Sequence, residues 1–122
     1  MARISTFPVF KNLTLNAGDT GTSDPIDLRY CSTRQNFSLS HSIAAGTSTT
    51  CGTTFFSYTG CSLVDGTYVA LGTFGTSGPT IIGKVTSLSS PTLVPFMKII
   101  ATQSGAGNAG ANSKVTAELN VQ

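Results

Sequence analysis

The side chains that carry acid–base chemistry are few in this sequence. It has one histidine, His41, and five carboxylates, most of which stand in turn-rich segments: Asp19, Asp24, Asp27, Asp65 and Glu118. A catalytic histidine needs a nucleophile and an orienting carboxylate beside it. No Gly-x-Ser-x-Gly elbow or phosphate-binding glycine loop marks such a site. His41 shares the apolar face of a strand, which favours a histidine in the core or at a subunit contact. We therefore expect that the protein is not an enzyme and uses no cofactor.

The three cysteines raise metal binding and a disulfide as two further options. Cys31, Cys51 and Cys61 would make a zinc set with His41, but they lack the close Cys-x-x-Cys knuckle that anchors a structural zinc. An odd cysteine count without a signal peptide argues against a disulfide framework. One bridge, between Cys51 and Cys61, remains open because these residues flank a single predicted strand and its turn. We expect no metal, and cysteines that pack as small apolar side chains.

Two tyrosines, Tyr58 and Tyr68, are the aromatic residues best placed to stack on a sugar. The chain has no tryptophan, the residue that a flat stacking platform usually favours. Tyrosines at strand ends also serve as packing anchors whose hydroxyl stays in water. The sequence leaves both interpretations open.

The composition restricts the class of protein. A chain of 122 residues fits a single domain. Only 10% of the residues are charged and the formal net charge is +2, too little for a nucleic-acid-binding surface. The sequence has no apolar run of about 18 residues that would predict a transmembrane helix, and no secretory signal, which predicts synthesis in the cytoplasm. Either hydroxyl side chains hydrate this weakly charged surface, or copies of the chain or another protein cover it.

Alternation of apolar and polar residues predicts about eight short strands and no helix. It is clearest in two inward faces: Phe37, Leu39, His41 and Ile43, and near the C-terminus Val115, Ala117, Leu119 and Val121. Residues 96–101 and 114–121 are predicted to form an antiparallel hairpin around the small-residue loop 104–111. Closely spaced strands with glycine, serine and asparagine turns predict an all-β, single-domain antiparallel β-sandwich or a jelly-roll-like barrel.

The predicted strand boundaries divide the chain into an N-terminal arm, residues 1–8, and a β-sandwich domain, residues 9–122. The first strand is expected at Val9–Leu15, with its odd-numbered residues on one face, and the second at Ile26–Cys31. Thr53–Tyr58 carries aromatic residues on both faces, so its inward face stays open. Three segments rich in turn residues are expected to be loops: residues 16–24, 74–79 and 87–91.

Two C-terminal motifs allow a comparison with a known family. Leu93, Pro95, Phe96, Met97, Lys98 and Ile99 form one, and Val115, Thr116, Ala117, Leu119, Val121 and Gln122 form the other. They resemble the late Leu-x-Pro-Phe-Met-Lys-Ile segment and the closing Val-Thr-Ala-x-Leu-x-Val-Gln strand of small β-sandwich virion proteins from tailed bacteriophages. The resemblance extends from about Asn36, through the turn at Asp65 and Gly66, to the C-terminus.

The resemblance implies a non-enzymatic structural protein of the virion, a capsid decoration (cement) protein or another small component. It also implies a symmetric homo-oligomer, with a trimer favoured, that binds the major capsid protein or another virion protein rather than nucleic acid or membrane. The arm would make such contacts through Arg3, Ile4, Phe7 and Phe10, unless the N-terminus is simply disordered. The alternative function is a carbohydrate- or receptor-binding module of a tail fibre or adhesin, with Tyr58 and Tyr68 as its ligand platform.

Overall fold

The structure is a computed structural model of the chain, and it describes residues 4–16, 18–31, 36–45, 53–77, 81–89, 92, 94–104 and 112–121. These residues form nine β-strands in two antiparallel sheets. The described ranges contain no helix with the length and apolar character that a membrane crossing requires. The all-β, antiparallel sandwich predicted from the alternation is confirmed.

Each sheet takes strands from distant parts of the chain. In chain order the strands are β1 Ser5–Asn16, β2 Thr20–Thr22, β3 Ile26–Asp27, β4 Asn36–Ala45, β5 Thr54–Cys61, β6 Val69–Ser77, β7 Ile81–Ser89, β8 Phe96–Gln103 and β9 Asn112–Val121. One sheet has the order β1-β9-β4-β7; the other has the order β2-β8-β5-β6, and β3 also pairs with β8. β4 and β9 are therefore central strands, whereas β1 and β7 are edges.

The inward faces of the two sheets form one hydrophobic core. Most of its fully buried side chains come from alternate positions of the four central strands: Phe37, Leu39, Ile43, Phe56, Met97, Ile99, Ala101, Val115, Leu119 and Val121. Leu15 of β1 and Leu28 after β3 join them. The inward faces predicted for β4 and β9 are confirmed. In β5, where the sequence left the choice open, Phe56 and Tyr58 point inward and Phe55 is exposed.

The predicted C-terminal hairpin is wrong. β8 pairs with β5 in the five-stranded sheet, whereas β9 pairs with β1 and β4 in the four-stranded sheet. The chain therefore changes sheets between Gln103 and Asn112. Alternation shows that each strand has one buried face, and this is equally true of neighbours in one sheet and of strands that face each other across a core.

The first strand begins earlier than predicted. Ser5 pairs with Val121, so residues 5–8, which were expected in an N-terminal arm, belong to the sheet. Residues 1–3 lie outside the described part of the chain. The extension has a simple cause, because β9 continues to Val121 and its backbone groups on the β1 side need hydrogen-bond partners.

β1 is also irregular, and this changes which of its side chains are buried. Its register against β9 shifts twice, and Asn12 has a φ of 53°. Asparagine tolerates this left-handed conformation better than most residues, and such β-bulges redirect the side chains that follow. Phe10 and Leu15 are both buried as a result, so the single odd-numbered face predicted for this strand is wrong.

Three segments predicted as loops contain strand residues. β2 lies within residues 16–24, β6 continues to Ser77, and β7 continues to Ser89. Gly75 in β6 and Gly83 in β7 have positive φ values of 97° and 65°, so glycine marks irregular strand positions there. The strand predicted at Ile26–Cys31 is reduced to Ile26–Asp27.

Candidate functional site

His41 lies in the core. It is 3% exposed, its ring centroid is 4.7 Å from that of Phe56, and its Nδ1 lies 3.3 Å from the carbonyl oxygen of Leu39. Burial lowers the pKa of His41; the contact with Leu39 opposes this effect, and the positive charge of Lys84 adds to it. The imidazole is therefore neutral at neutral pH, and of the two predicted positions, the core or a subunit contact, His41 occupies the core.

Two of the carboxylates hold the local backbone. Asp27 accepts hydrogen bonds from Nε and Nη2 of Arg29 at 3.0 and 2.8 Å, and a third from the Arg29 backbone N–H at 3.0 Å. These hydrogen bonds lower the pKa of Asp27, which keeps it ionised. Asp19 accepts a hydrogen bond from the backbone N–H of Asn16 at 3.1 Å, in the turn between β1 and β2. Both carboxylates therefore make local structural contacts.

Metal binding finds no support in the described part of the chain. Its residues contain no cluster of three or more histidine, cysteine or carboxylate side chains that could hold an ion. Cys61 ends β5, and its sulfur accepts a hydrogen bond from the backbone N–H of Leu63 at 3.5 Å. Cys51 lies outside the described residues, so the zinc set and the Cys51–Cys61 bridge remain sequence-based options.

Tyr58 is not an exposed ligand platform, contrary to the alternative interpretation of the sequence. It is 3% exposed, and its ring centroid is 5.5 Å from that of Phe74. Its hydroxyl oxygen accepts a long hydrogen bond, 3.4 Å, from the backbone N–H of Thr92. The cause is the register of β5, which places Tyr58 on the same inward face as Phe56.

Tyr68 is half-buried beside the turn between β5 and β6. Its hydroxyl donates a hydrogen bond to the carbonyl oxygen of Val64 at 2.9 Å, and Nζ of Lys98 lies 4.3 Å from its ring centroid. Desolvation raises the pKa of Tyr68, and Cys61 and Asp65 add to the shift. Because Lys98 stacks on this ring and Tyr58 is buried, the two tyrosines do not form one platform.

The four residues predicted to form an N-terminal contact are not equivalent. Phe10 is buried, and Phe7 is half-buried and packs against the core. Arg3 lies outside the described residues. Among the three of these residues that the structure describes, Ile4 has the most exposed apolar side chain, at 62%. The difference follows from the pairing of β1 with β9, which sequence reasoning did not foresee.

Exposed apolar side chains gather at one end of the five-stranded sheet. The guanidinium carbon of Arg29 lies 5.4 Å from the ring of Tyr30 and 4.9 Å from the ring of Phe96. Phe96 pairs with Cys61, where β5 leads into the turn before β6. Four large apolar side chains at this end are exposed, and we call them the apolar end: Tyr30, Leu63, Val64 and Val69.

The outer face of the four-stranded sheet carries hydroxyl and amide side chains. Nδ2 of Asn120 donates hydrogen bonds to Oγ of Ser38 at 3.3 Å and Oγ of Ser40 at 3.0 Å. Oδ1 of Asn120 accepts a hydrogen bond from the Thr6 hydroxyl at 2.8 Å. The alternation predicted a polar face for each strand separately. The polar faces of β4 and β9 form one surface because the strands pair, with Ser38 opposite Asn120 and Ser40 opposite Glu118.

Two hollows lie along β4 on this surface, between β7 and β9. The first has a volume of about 340 Å³ and lies at the Asn36 end of the strand. The second has a volume of about 320 Å³ and lies further along, beside Ser40 and Ser42. They lie where short residues of β4 and β7 stand on this face, Ser38 and Ser87 in the first hollow and Ser40, Ser42 and Gly83 in the second. We call the first hollow the β4 groove.

A scan against protein-family models and a search of curated proteins both find no match to the sequence. Among solved structures, the chain is similar to a chain in the structure of infectious bursal disease virus, Gx strain, with a TM-score of 0.52 and 14% sequence identity. The similarity covers 98% of this chain and 32% of that chain, so this chain spans about a third of its length. At this identity the likeness shows the fold alone.

Proposed function

We propose that the protein is a structural component of a virion, whose sandwich packs against copies of itself or against another virion protein. The observation that carries this proposal is the fold. Almost the whole chain, 98%, superposes on part of a chain from a virus structure, with a TM-score of 0.52. An all-β domain of this kind presents rigid surfaces on which many copies can assemble in a closed symmetric arrangement.

The surface of the molecule supports assembly. The apolar end exposes Tyr30, Leu63, Val64 and Val69 to water, and Tyr30 is 85% exposed. Only 10% of the chain is charged, which leaves little charge to keep separate molecules apart. Covering this end with a second protein would remove apolar area from water, at about 25 cal/mol per Å².

The resemblance of the C-terminal motifs supports a narrower proposal, a capsid decoration (cement) protein or another small virion component of a tailed bacteriophage. The structural neighbour comes from a different kind of virus and does not bear on this point. In this proposal the protein is made in the host cytoplasm, forms a trimer and binds the major capsid protein or another virion protein. Ile4 and the half-buried Phe7 remain available for such contacts.

The experiment that tests this proposal is the mass of the purified protein by light scattering on a sizing column, followed by co-sedimentation with virus particles from the same source. We expect a trimer of the 12.6 kDa chain, or binding to the particles. Leu63→Asp and Val69→Asp should reduce association. Val85→Asp is the matched control, because Val85 is 57% exposed, close to the 55% of Val69, and lies on the other sheet. A monomer at every concentration that also fails to bind particles would contradict the proposal.

A further inference from the structure

The residues that line the β4 groove are all uncharged. Four polar side chains face it: Asn36, Ser38, Ser87 and Asn120. Apolar side chains of Ile4 and the half-buried Leu88 also line it, whereas the side chains of Phe37 and Val121, which border it, are buried in the core. Its volume of about 340 Å³ falls at the lower end of the range for ligand pockets. An uncharged lining of this mixed kind suits a neutral ligand that combines hydroxyl groups with apolar C–H surface.

The hydrogen bonds around Asn120 leave two hydroxyl protons available. Because Nδ2 of Asn120 donates to the oxygens of both Ser38 and Ser40, each serine acts as an acceptor in this network. In the described part of the chain, neither serine hydroxyl donates a hydrogen bond to a protein atom. A hydroxyl carries one proton in addition to its acceptor sites. Ser38 and Ser40 can therefore donate to a ligand while Asn120 keeps their oxygens in place.

The second hollow extends this surface along the same strand. Ser38, Ser40 and Ser42 stand at alternate positions and span roughly 13 Å at about 3.3 Å per residue. The second hollow, of about 320 Å³, is also lined by Thr116 and by Glu118, whose negative charge disfavours an anionic ligand. A linear ligand with several hydroxyl groups could follow β4 from one hollow to the other.

An extended peptide fits this position poorly. Peptides that add to a β-sheet do so at an edge, where backbone N–H and C=O groups lack partners. β4 is central and pairs with β7 on one side and β9 on the other. Only side chains remain for recognition, and hydroxyl and amide side chains, which both donate and accept, match the hydroxyl groups of a sugar.

We propose that the β4 groove and the adjoining second hollow bind an uncharged glycan, the groove through Asn36, Ser38 and Ser87 and the second hollow through Ser40. The proposal concerns a different surface from the apolar end, and it shares Ile4 with the N-terminal contacts of the virion proposal. It also differs from the two-tyrosine platform, since neither Tyr58 nor Tyr68 takes part.

The test is a titration of the ¹⁵N-labelled protein with a panel of neutral saccharides, including glucose, galactose, mannose and N-acetylglucosamine oligomers, monitored by amide chemical shifts. We expect shifts in β4, β7 and the C-terminal half of β9. Ser38→Ala and Ser40→Ala should each weaken binding about twofold to tenfold, the effect of one lost hydrogen bond. Ser57→Ala is the matched control, because Ser57 is a part-buried serine on the outer face of the other sheet. The spectra of the unbound variants show whether each remains folded.

Three results would overturn the proposal. The first is the absence of shifts with every saccharide in the panel, and the second is equal affinity in all three serine variants. The third is shifts in β4 and β7 that depend on protein concentration without any saccharide, which would mean that a second copy of the chain occupies the groove. The sizing experiment tests the virion proposal separately, so failure of one proposal is distinguishable from failure of the other.

Discussion

The side-chain nitrogen Nε2 of Gln103 lies 2.7 Å from the backbone carbonyl oxygen of Leu15 and donates a hydrogen bond to it. Gln103 ends β8 in the five-stranded sheet, and Leu15 belongs to β1 in the four-stranded sheet, so this bond joins the two sheets. The same nitrogen also donates to Oγ of Ser113 at 3.2 Å, and both Gln103 and Ser113 are almost completely buried. A buried amide in this position specifies how the sheets meet at this end of the core.

Gln103→Leu should reduce the free energy of unfolding by about 1 to 3 kcal/mol, because it leaves a buried carbonyl and a buried hydroxyl without their donor. Urea denaturation followed by circular dichroism measures the change. Thr102→Val is the control. Its hydroxyl contacts Thr20 at 3.2 Å on the exposed face, so its loss should cost less than about 0.5 kcal/mol. Equal effects of the two substitutions would show that the bond across the sheets does not stabilise the fold.

Leu119→Ala should cost about 2 to 5 kcal/mol of unfolding free energy, since it removes a large side chain from a filled core. Leu119 is fully buried and pairs with Phe7 on one side and Leu39 on the other. Lys114→Ala, on the exposed face of the same strand, should change stability by less than about 0.5 kcal/mol. A loss below about 1 kcal/mol for Leu119→Ala in urea titrations would contradict the assignment of the inward face.

Tyr58→Ala and Tyr68→Ala should differ strongly in stability. Tyr58 is buried against Phe74, so its truncation should cost about 3 to 5 kcal/mol. Tyr68 is half-buried and makes one hydroxyl contact with Val64, so its truncation should cost about 1 kcal/mol. Thermal unfolding of the two variants side by side measures the difference. Similar melting temperatures would mean that Tyr58 is not a core residue.

The stability of the protein should fall as the pH decreases below 6.5, the ordinary pKa of histidine. Burial lowers the pKa of His41 in the folded state, so between that lowered value and 6.5 the unfolded chain binds more protons than the folded one. In this window the unfolding free energy therefore decreases as the pH falls. Above the window, His41 makes no contribution to the pH dependence of the unfolding free energy. Urea titrations at several pH values, with His41→Gln as control, measure this. Parallel pH profiles for the two proteins would show that His41 does not contribute.

The sequence predicted an all-β fold because the burial of side chains in a β-strand repeats every two residues. The alternation of Phe37 with Ser38, and of Leu119 with Asn120, reports directly which side of each strand faces the core. The same reasoning placed His41 in the core, since it stands between Leu39 and Ile43 in that alternation. Position within one strand is a local property, and local sequence determines it.

The sequence did not predict which strands pair with each other. Backbone hydrogen bonds are the same for every residue type, so β8 and β9 carry no mark that assigns them to opposite sheets. Tertiary packing also decided that Asn12 takes a left-handed conformation and that Phe10 turns inward. The β4 groove also depends on tertiary packing, because Ser38 lies beside Asn120 only when β4 and β9 pair. The sequence by itself determined which faces are buried and which are polar. The tertiary structure decided which polar faces lie side by side, because that depends on contacts between residues far apart in the chain.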